Sequence, residues 1–237
     1  MGKGHLKRLA APKSWQVSRK EIKFITKPSA GPHNLSSSIP ISTLLKEILN
    51  YASTTKEVKK IMNNNEIKVD GKVRRDFRFP IGIFDTIGFK SINENFRVVL
   101  NTKGKLDMIK IGEDESLLKP CKIVGKKMVR GKLQLNLYDG RNLNEGSNSY
   151  QSGDTVLLSL PEQKIIKHFK LKKKSAIFLT GGKHIGEVGN VEDVIENRII
   201  YRTNKGNLIE TSKKYAFVVG DDKPSITLNE NKPDEKD

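Results

Sequence analysis

The chain has 237 residues, a formal net charge of +17, 35% hydrophobic and 30% charged residues. Such an excess of positive charge implies a polyanionic partner, for which nucleic acid and an anionic membrane both qualify; no apolar run approaches the roughly 20 residues of a membrane-spanning helix, and nucleic acid rather than a membrane is the expected partner. One cysteine, Cys121, excludes an internal disulfide and a cysteine-rich zinc site, and fits a reducing, cytoplasmic compartment. The lean apolar content predicts several small cores rather than one large one.

Residues 1–37 read as a basic N-terminal arm. Its first 27 residues hold eight basic side chains and one acid, Glu21, and it sustains no helical periodicity. It is not a secretory signal, because it has no apolar central region. His5, Lys7, Arg8 and Lys13 are candidate phosphate contacts. Trp15, the single tryptophan, lies among these cations and fits stacking on a base or packing on a neighbouring protein. The expectation is an arm that orders on RNA.

Residues 38–87 carry the sharpest local signals. Ile41, Leu44, Leu45, Ile48 and Leu49 form one apolar stripe of helical period, with start signals at Ser38 and Pro40. Thr54 and Glu57 have the spacing of a capping box, in which each side chain satisfies a free N–H at the start of a second helix. Val58, Ile61 and Met62 give that helix an apolar face, and Lys56, Lys59 and Lys60 crowd the rest. Asn63, Asn64 and Asn65 are the predicted stop, through a left-handed cap. Asp70-Gly71 then sits between alternating residues as a two-residue hairpin turn. Lys72, Arg74, Arg75 and Arg78 follow, with Phe77, Phe79, Ile81 and Ile83 facing a core. These charges either solvate a sheet face or, if the lysine-rich helix packs beside the hairpin, converge on one phosphate-binding surface.

Residues 88–163 change to short alternating runs separated by turns, which predicts a central antiparallel β domain. In its Asp139-Gly140-Arg141-Asn142 turn, Arg141 suits a phosphate and a nearby acid equally. Residues 164–174 read as a basic linker with six lysines, whose mutual repulsion a polyanion would relieve. Residues 175–220 hold glycines that match neither a P-loop nor a dinucleotide fingerprint. Glycines there serve bends and close backbone approach, leaving Lys183 and His184 as the loop's candidate contacts. Residues 221–237, with six acids and three lysines, read as a mobile acidic tail.

The helix-helix-hairpin stretch around Thr55–Ile61 and Ile67–Lys72 resembles the RNA-binding module named after bacterial small-subunit ribosomal protein four. Thr180-Gly181-Gly182-Lys183-His184-Ile185-Gly186 and the strands after it resemble the KOW motif of small five-stranded barrels. Together with Gly4-His5-Leu6-Lys7-Arg8, Asp139-Gly140-Arg141-Asn142 and Ser159-Leu160-Pro161-Glu162-Gln163, this order is similar to the archaeal and eukaryotic small-subunit ribosomal protein family four of the e type. The resemblance implies a modular α+β fold: arm, small α/β RNA-binding module, central antiparallel β domain and C-terminal KOW-type β-barrel. It implies a non-catalytic ribosomal constituent that stabilises small-subunit rRNA, beside neighbouring ribosomal proteins, with no cofactor and no small-molecule substrate. No metal-ligand spacing or catalytic frame is present in the sequence. Two competing readings are an RNA-modifying enzyme using the module as a handle, which needs a larger catalytic domain than residues 88–165 supply, and a translation or transcription factor that cycles on and off.

Overall fold

The structure, a computed structural model, describes residues 4–64, 66–145, 149–203 and 206–228. In the arm, β1 (Leu6–Lys7) pairs antiparallel with β2 (Phe24–Ile25), so the chain doubles back on itself. Trp15 is buried and its indole N–H donates to the Ser38 carbonyl at 2.6 Å. Ser14 accepts from the Leu106 amide at 2.7 Å. The arm is thus packed into the fold through Trp15 and Ser14. Burial of a large indole that also finds an acceptor outweighs the polar character of its neighbours.

Strand β3 (Ser38–Pro40) leads into α1 (Ile41–Thr43), which widens into a π-helical turn, Leu44–Ile48. Ile41, Leu44 and Leu45 are buried and Ile48 and Leu49 half-buried, as the stripe requires. Ser38 belongs to β3 and Pro40 stands at the helix start without a side-chain cap. Helix α2 (Thr55–Asn63) has the full capping box. Asn63 is still helical and Asn64 has φ −73°, so neither makes the predicted left-handed stop; Asn65 lies outside the described residues.

A hairpin of β4 (Ile67–Val69) and β5 (Lys72–Val73) follows, then β6 (Pro80–Gly82), which pairs with β3. Strands β7 (Thr86–Phe89), β8 (Glu94–Leu100) and β9 (Leu106–Ile111) join the hairpin in an antiparallel sheet of order β5-β4-β7-β8-β9. The boundary expected after residue 87 falls inside β7. After the short helix α3 (Glu113–Ser116), a second sheet is built from β10 (Leu118–Val129), β11 (Lys132–Leu137), β12 (Asn142–Glu145), β13 (Thr155–Ser159) and β14 (Lys164–Phe169), in the order β12-β11-β10-β13-β14. The first part of the expected basic linker is therefore a strand. Phe169 is buried and Ile165 half-buried, while Lys164 and Lys167 point to water.

The third sheet contains β15 (Ala176–Leu179), β16 (Val188–Ile195), β17 (Arg198–Thr203), β18 (Leu208–Ser212) and β19 (Ala216–Gly220), in the order β18-β17-β16-β15-β19. The expected five strands are present, but among the described residues β18 and β19 are not paired, which leaves a half-barrel rather than a closed barrel. The fold is strand-rich with few helices.

The cores are not separate modules. One cluster joins Trp15 of the arm, Ile39 and Leu45, the first sheet and the third, with Phe84 at 5.4 Å from Phe178 and 4.6 Å from Phe217. The second sheet adds its own small cluster around Ile123, Leu135 and Val156. Pooling apolar surface across sheets is how a chain lean in hydrophobic residues buries enough of it. Residues 226–228 also pack down, beyond an exposed stretch at 221–225: Ile226 and Leu228 are buried, and Thr227 donates through its amide and hydroxyl to Glu115 at 2.7 and 2.8 Å. That part of the expected mobile tail is anchored; its remainder lies outside the described residues.

Candidate nucleic-acid interface

Helix α2 starts where its capping box places it. The Glu57 amide donates to Thr54 Oγ1 at 3.3 Å, and the Glu57 carboxylate accepts from the Ser53 and Thr54 amides at 2.8 and 3.3 Å. These bonds, from Ser53 first and then Thr54, hold the Glu57 carboxyl below its ordinary range. Val58 and Met62 are fully buried, which turns Lys56, Lys59 and Lys60 to solvent. At the β4–β5 turn, Asp70 and Gly71 have φ of 50° and 74°, the conformation that selects Asp-Gly. The turn puts Lys72 on the edge strand, with Arg74, Arg75 and Arg78 just beyond it.

The helix and the hairpin segment meet on the Phe77 ring, and the segment seats a further cation on Phe79. Lys59 Nζ lies 4.9 Å and Arg78 Cζ 5.9 Å from the Phe77 centroid, and Arg74 Cζ lies 4.3 Å from that of Phe79. A ring face seats a cation while leaving its outer side to a ligand. Asp76, the acid of this segment, is occupied by the Arg78 amide at 2.9 Å and the Ser29 hydroxyl at 2.8 Å. The structure therefore brings Lys59, Arg74 and Arg78 onto adjoining seats, with Lys56 and Lys60 on the same helix.

The arm borders this surface. A groove of about 650 Å³ is lined by His5, Lys27, Lys46 and Arg78 together with Glu21 and Glu47, the two acids that hold Arg8. His5 packs its ring 5.5 Å from that of Phe24, and Lys7 and Lys13 are exposed. Two expected contacts are corrected. Trp15 is in the core and cannot stack on a base. Arg8 is buried, bound to Glu47 at 2.6 Å, to Glu21 at 3.4 Å and to the Ser18 carbonyl at 2.8 Å; its charge is spent on holding the arm to the π-helical turn.

Lys183 and His184 lie elsewhere. Their loop packs on the turn between β8 and β9, at the opposite side of the first sheet from β5. A Cβ on Gly186, whose φ is +80°, would meet the Asn101 carbonyl oxygen at 2.5 Å. Lys183 is exposed, while His184 Nδ1 is 3.2 Å from Glu187.

Sequence reading missed the group that locks these surfaces together. Lys119, buried on β10, places Nζ 2.5 Å from Asp85, 2.7 Å from Asp70 and 3.2 Å from Asp139. Arg141 reaches Asp70 at 2.5 Å and Asp139 at 3.1 Å, which settles its partner as acids of this chain. His33 of the arm holds Asp85 at 3.0 Å. Burial opposes charge on both Asp85 and Lys119, yet their mutual attraction wins: the Asp85 carboxyl is held well below the usual range by Lys119 and His33, and Lys119 is raised by Asp85 and Asp70. Burial raises the Cys121 thiol well above its ordinary value, which makes it an inert core group. Among the described residues no cluster of histidine, cysteine, aspartate or glutamate is fit to hold a metal.

A second basic surface was also missed. The β10–β11 hairpin turns at Arg130 and Gly131, with φ of 49° and 74°, and exposes Lys127, Arg130 and Lys132 beside Met128. The signal was available as Arg-Gly between two alternating runs.

Comparison with known proteins matches two family models: one described as ribosomal family S4e, over residues 92–165, and the RS4NT (NUC023) domain, over residues 1–36. The small ribosomal subunit protein eS4 of Methanococcus aeolicus is 41% identical over 239 residues, covering 94% of this chain and 97% of that relative. Its counterpart in Methanosphaera stadtmanae is 43% identical over 231 residues, covering 94% and 95%. The crystal structure of the 30S ribosomal protein S4e from Thermoplasma acidophilum superposes with a TM-score of 0.66 at 26% identity, covering 81% of this chain and 98% of that one.

Proposed function

The chain belongs to the S4e family of small-subunit ribosomal proteins, and from that premise we propose that it binds small-subunit rRNA through several basic surfaces and stabilises the RNA's folded form, without catalysis. The observation that carries this reading is the convergence of Lys59, Arg74 and Arg78 on the rings of Phe77 and Phe79. Lys56, Lys60, Lys72 and Arg75 extend this surface, and His5, Lys7 and Lys13 continue it onto the arm. Lys183 and His184 form a second grip, too far across the first sheet to serve the same phosphates.

Cations neutralise phosphates and release condensed counterions, which gives a strongly salt-dependent affinity. The deep, narrow major groove of A-form RNA hides its base edges, so a protein with charges fixed on a rigid frame reads shape and backbone instead. The aromatic seats limit the side-chain freedom that binding would otherwise have to freeze. The buried Lys119 network fixes arm, first sheet and second sheet relative to one another, so that their cations meet one large RNA together. Neighbouring ribosomal proteins are the remaining partners of this reading, and the cytoplasmic ribosome is its location.

Sucrose-gradient sedimentation of cell extract after a moderate salt wash tests this role. Stoichiometric comigration with small subunits is expected; a predominantly free pool, or one bound to polymerase, would overturn it in favour of a cycling factor.

A further inference from the structure

Away from the α2 surface, a cleft of about 540 Å³ opens between the second and third sheets. Ile123 and Phe217, both buried, form its apolar wall, and exposed Val124 and Tyr138 stand at its mouth. Three lysines line it, Lys122, Lys213 and Lys214, and among the described residues no aspartate or glutamate does. This is the size of a small-ligand pocket, which typically runs from about 300 to 1,000 Å³.

Among the described residues none of the three is paired with a carboxylate, and Lys214 Nζ lies 4.8 Å from the centroid of the Tyr215 ring. Lys122 Nζ donates to the carbonyls of Lys213, Lys214 and Ala216 at 3.3, 3.0 and 2.6 Å. Burial and the neighbouring Lys213 push Lys122 down to about 8, the behaviour of a cation lacking an anion. The walls are preformed by backbone bonds. The Lys213 amide donates to the Asn197 carbonyl at 2.8 Å, Tyr138 to Lys122 at 2.9 Å, and Gly153 to Ile123 at 2.9 Å. An apolar slot with an aromatic at its mouth and an uncompensated cationic side suits a ligand with a flat apolar body and an anionic group. A nucleotide unit has that form, and sequence-tolerant stacking plus phosphate contact is how single-stranded RNA is held.

We infer that this cleft takes one unstacked nucleotide of a single-stranded RNA segment, its phosphate on Lys213 and Lys214 and its base against the exposed faces of Tyr138 and Val124, while Lys122, its three N–H groups held by backbone carbonyls, braces the cationic side. This rests on the RNA-binding reading above and adds to it a site for an extruded base, distinct from the phosphate-gripping surface of α2 and the hairpin.

The test uses the full chain and a pentauridylate carrying 4-thiouridine at its centre. After irradiation, adducts are mapped by peptide mass spectrometry. Adducts on the peptides holding Val124 or Tyr138 are expected. They should be lost in a Lys213→Ala, Lys214→Ala variant and in a Lys214→Ala variant alone be weakened, while rRNA binding by the α2 surface persists. An equal concentration of uridine monophosphate should not displace the oligonucleotide; if it does, the cleft is a mononucleotide site and the inference is overturned. Adducts confined to the peptides of α2 and Phe77, with rRNA affinity intact, overturn the cleft and leave the RNA-binding reading standing. Failure to bind rRNA at all overturns both.

Discussion

Replacing Lys119 by Met keeps most of the side-chain volume and deletes one buried charge. Lys119 is 2% exposed, and its Nζ touches three carboxylates. After the change Asp70 and Asp139 keep Arg141. Asp85 keeps His33 and the Gly82 amide but loses the lysine that most favours its ionised form. Breaking a buried ion pair from one side costs about 3–5 kcal/mol. For a protein of this size that corresponds to a fall in Tm of roughly 6–20 °C. The pH dependence fixes the cause. In the parent the Asp85 carboxyl lies below its unfolded value, so its contribution is present above the ordinary carboxylate value of about 3.9 and is lost as pH falls through and below it. Lys119 is raised, so its contribution holds below the ordinary lysine value and is lost only as pH rises through its elevated one. In Lys119→Met the burial that disfavours an ionised Asp85 remains while its main counterweight is gone. The carboxyl then protonates more readily in the folded state, and the variant's deficit shrinks as pH is lowered from 7 towards 4. Urea unfolding of the free protein across that range measures it. A deficit under about 1 kcal/mol at pH 7, or one that does not change with pH, would refute the claim that this network is an ionised interlock.

Trp15→Ala should destabilise the chain by about 3–5 kcal/mol, the usual range for emptying a buried aromatic site, and leave the salt dependence of rRNA binding unchanged in the folded fraction; an altered salt slope with unchanged stability would return Trp15 to the RNA surface. Gly186→Ala forces a side chain into a left-handed conformation and against the Asn101 carbonyl, so urea unfolding should show a loss of at least about 1–3 kcal/mol. Thr54→Ala removes the cap of α2 and should cost about 1 kcal/mol, read as a lower unfolding midpoint without a change in m-value.

What could be read in the sequence was what is local. The α2 cap depends on Thr54 and Glu57, and the β4–β5 turn on Asp70 and Gly71, so spacing alone located both. What Asp70 also does was hidden, because its partners Lys119 and Arg141 are 49 and 71 residues away and a turn aspartate carries no sign of them. Trp15 sits in a stretch with no periodicity, and the Ser38 carbonyl that receives its N–H comes from β3. In β14 the lysines masked a strand whose inward residues are Ile165 and Phe169. The expected separate cores are met by the second sheet's small cluster but not by the first and third sheets, which share one, because Phe84, Phe178 and Phe217 pack together across sheets that are far apart in the chain.

The central claim is that the cations seated around Phe77 and Phe79 grip RNA phosphates. A salt titration of small-subunit rRNA binding, parent against the Arg74→Ala, Arg75→Ala, Arg78→Ala variant, tests it most directly. At about 0.7–0.9 per neutralised phosphate, the slope of log affinity against log salt should become shallower by about two to three, with weaker binding at every low-salt point. Unchanged affinity and unchanged slope would contradict the account.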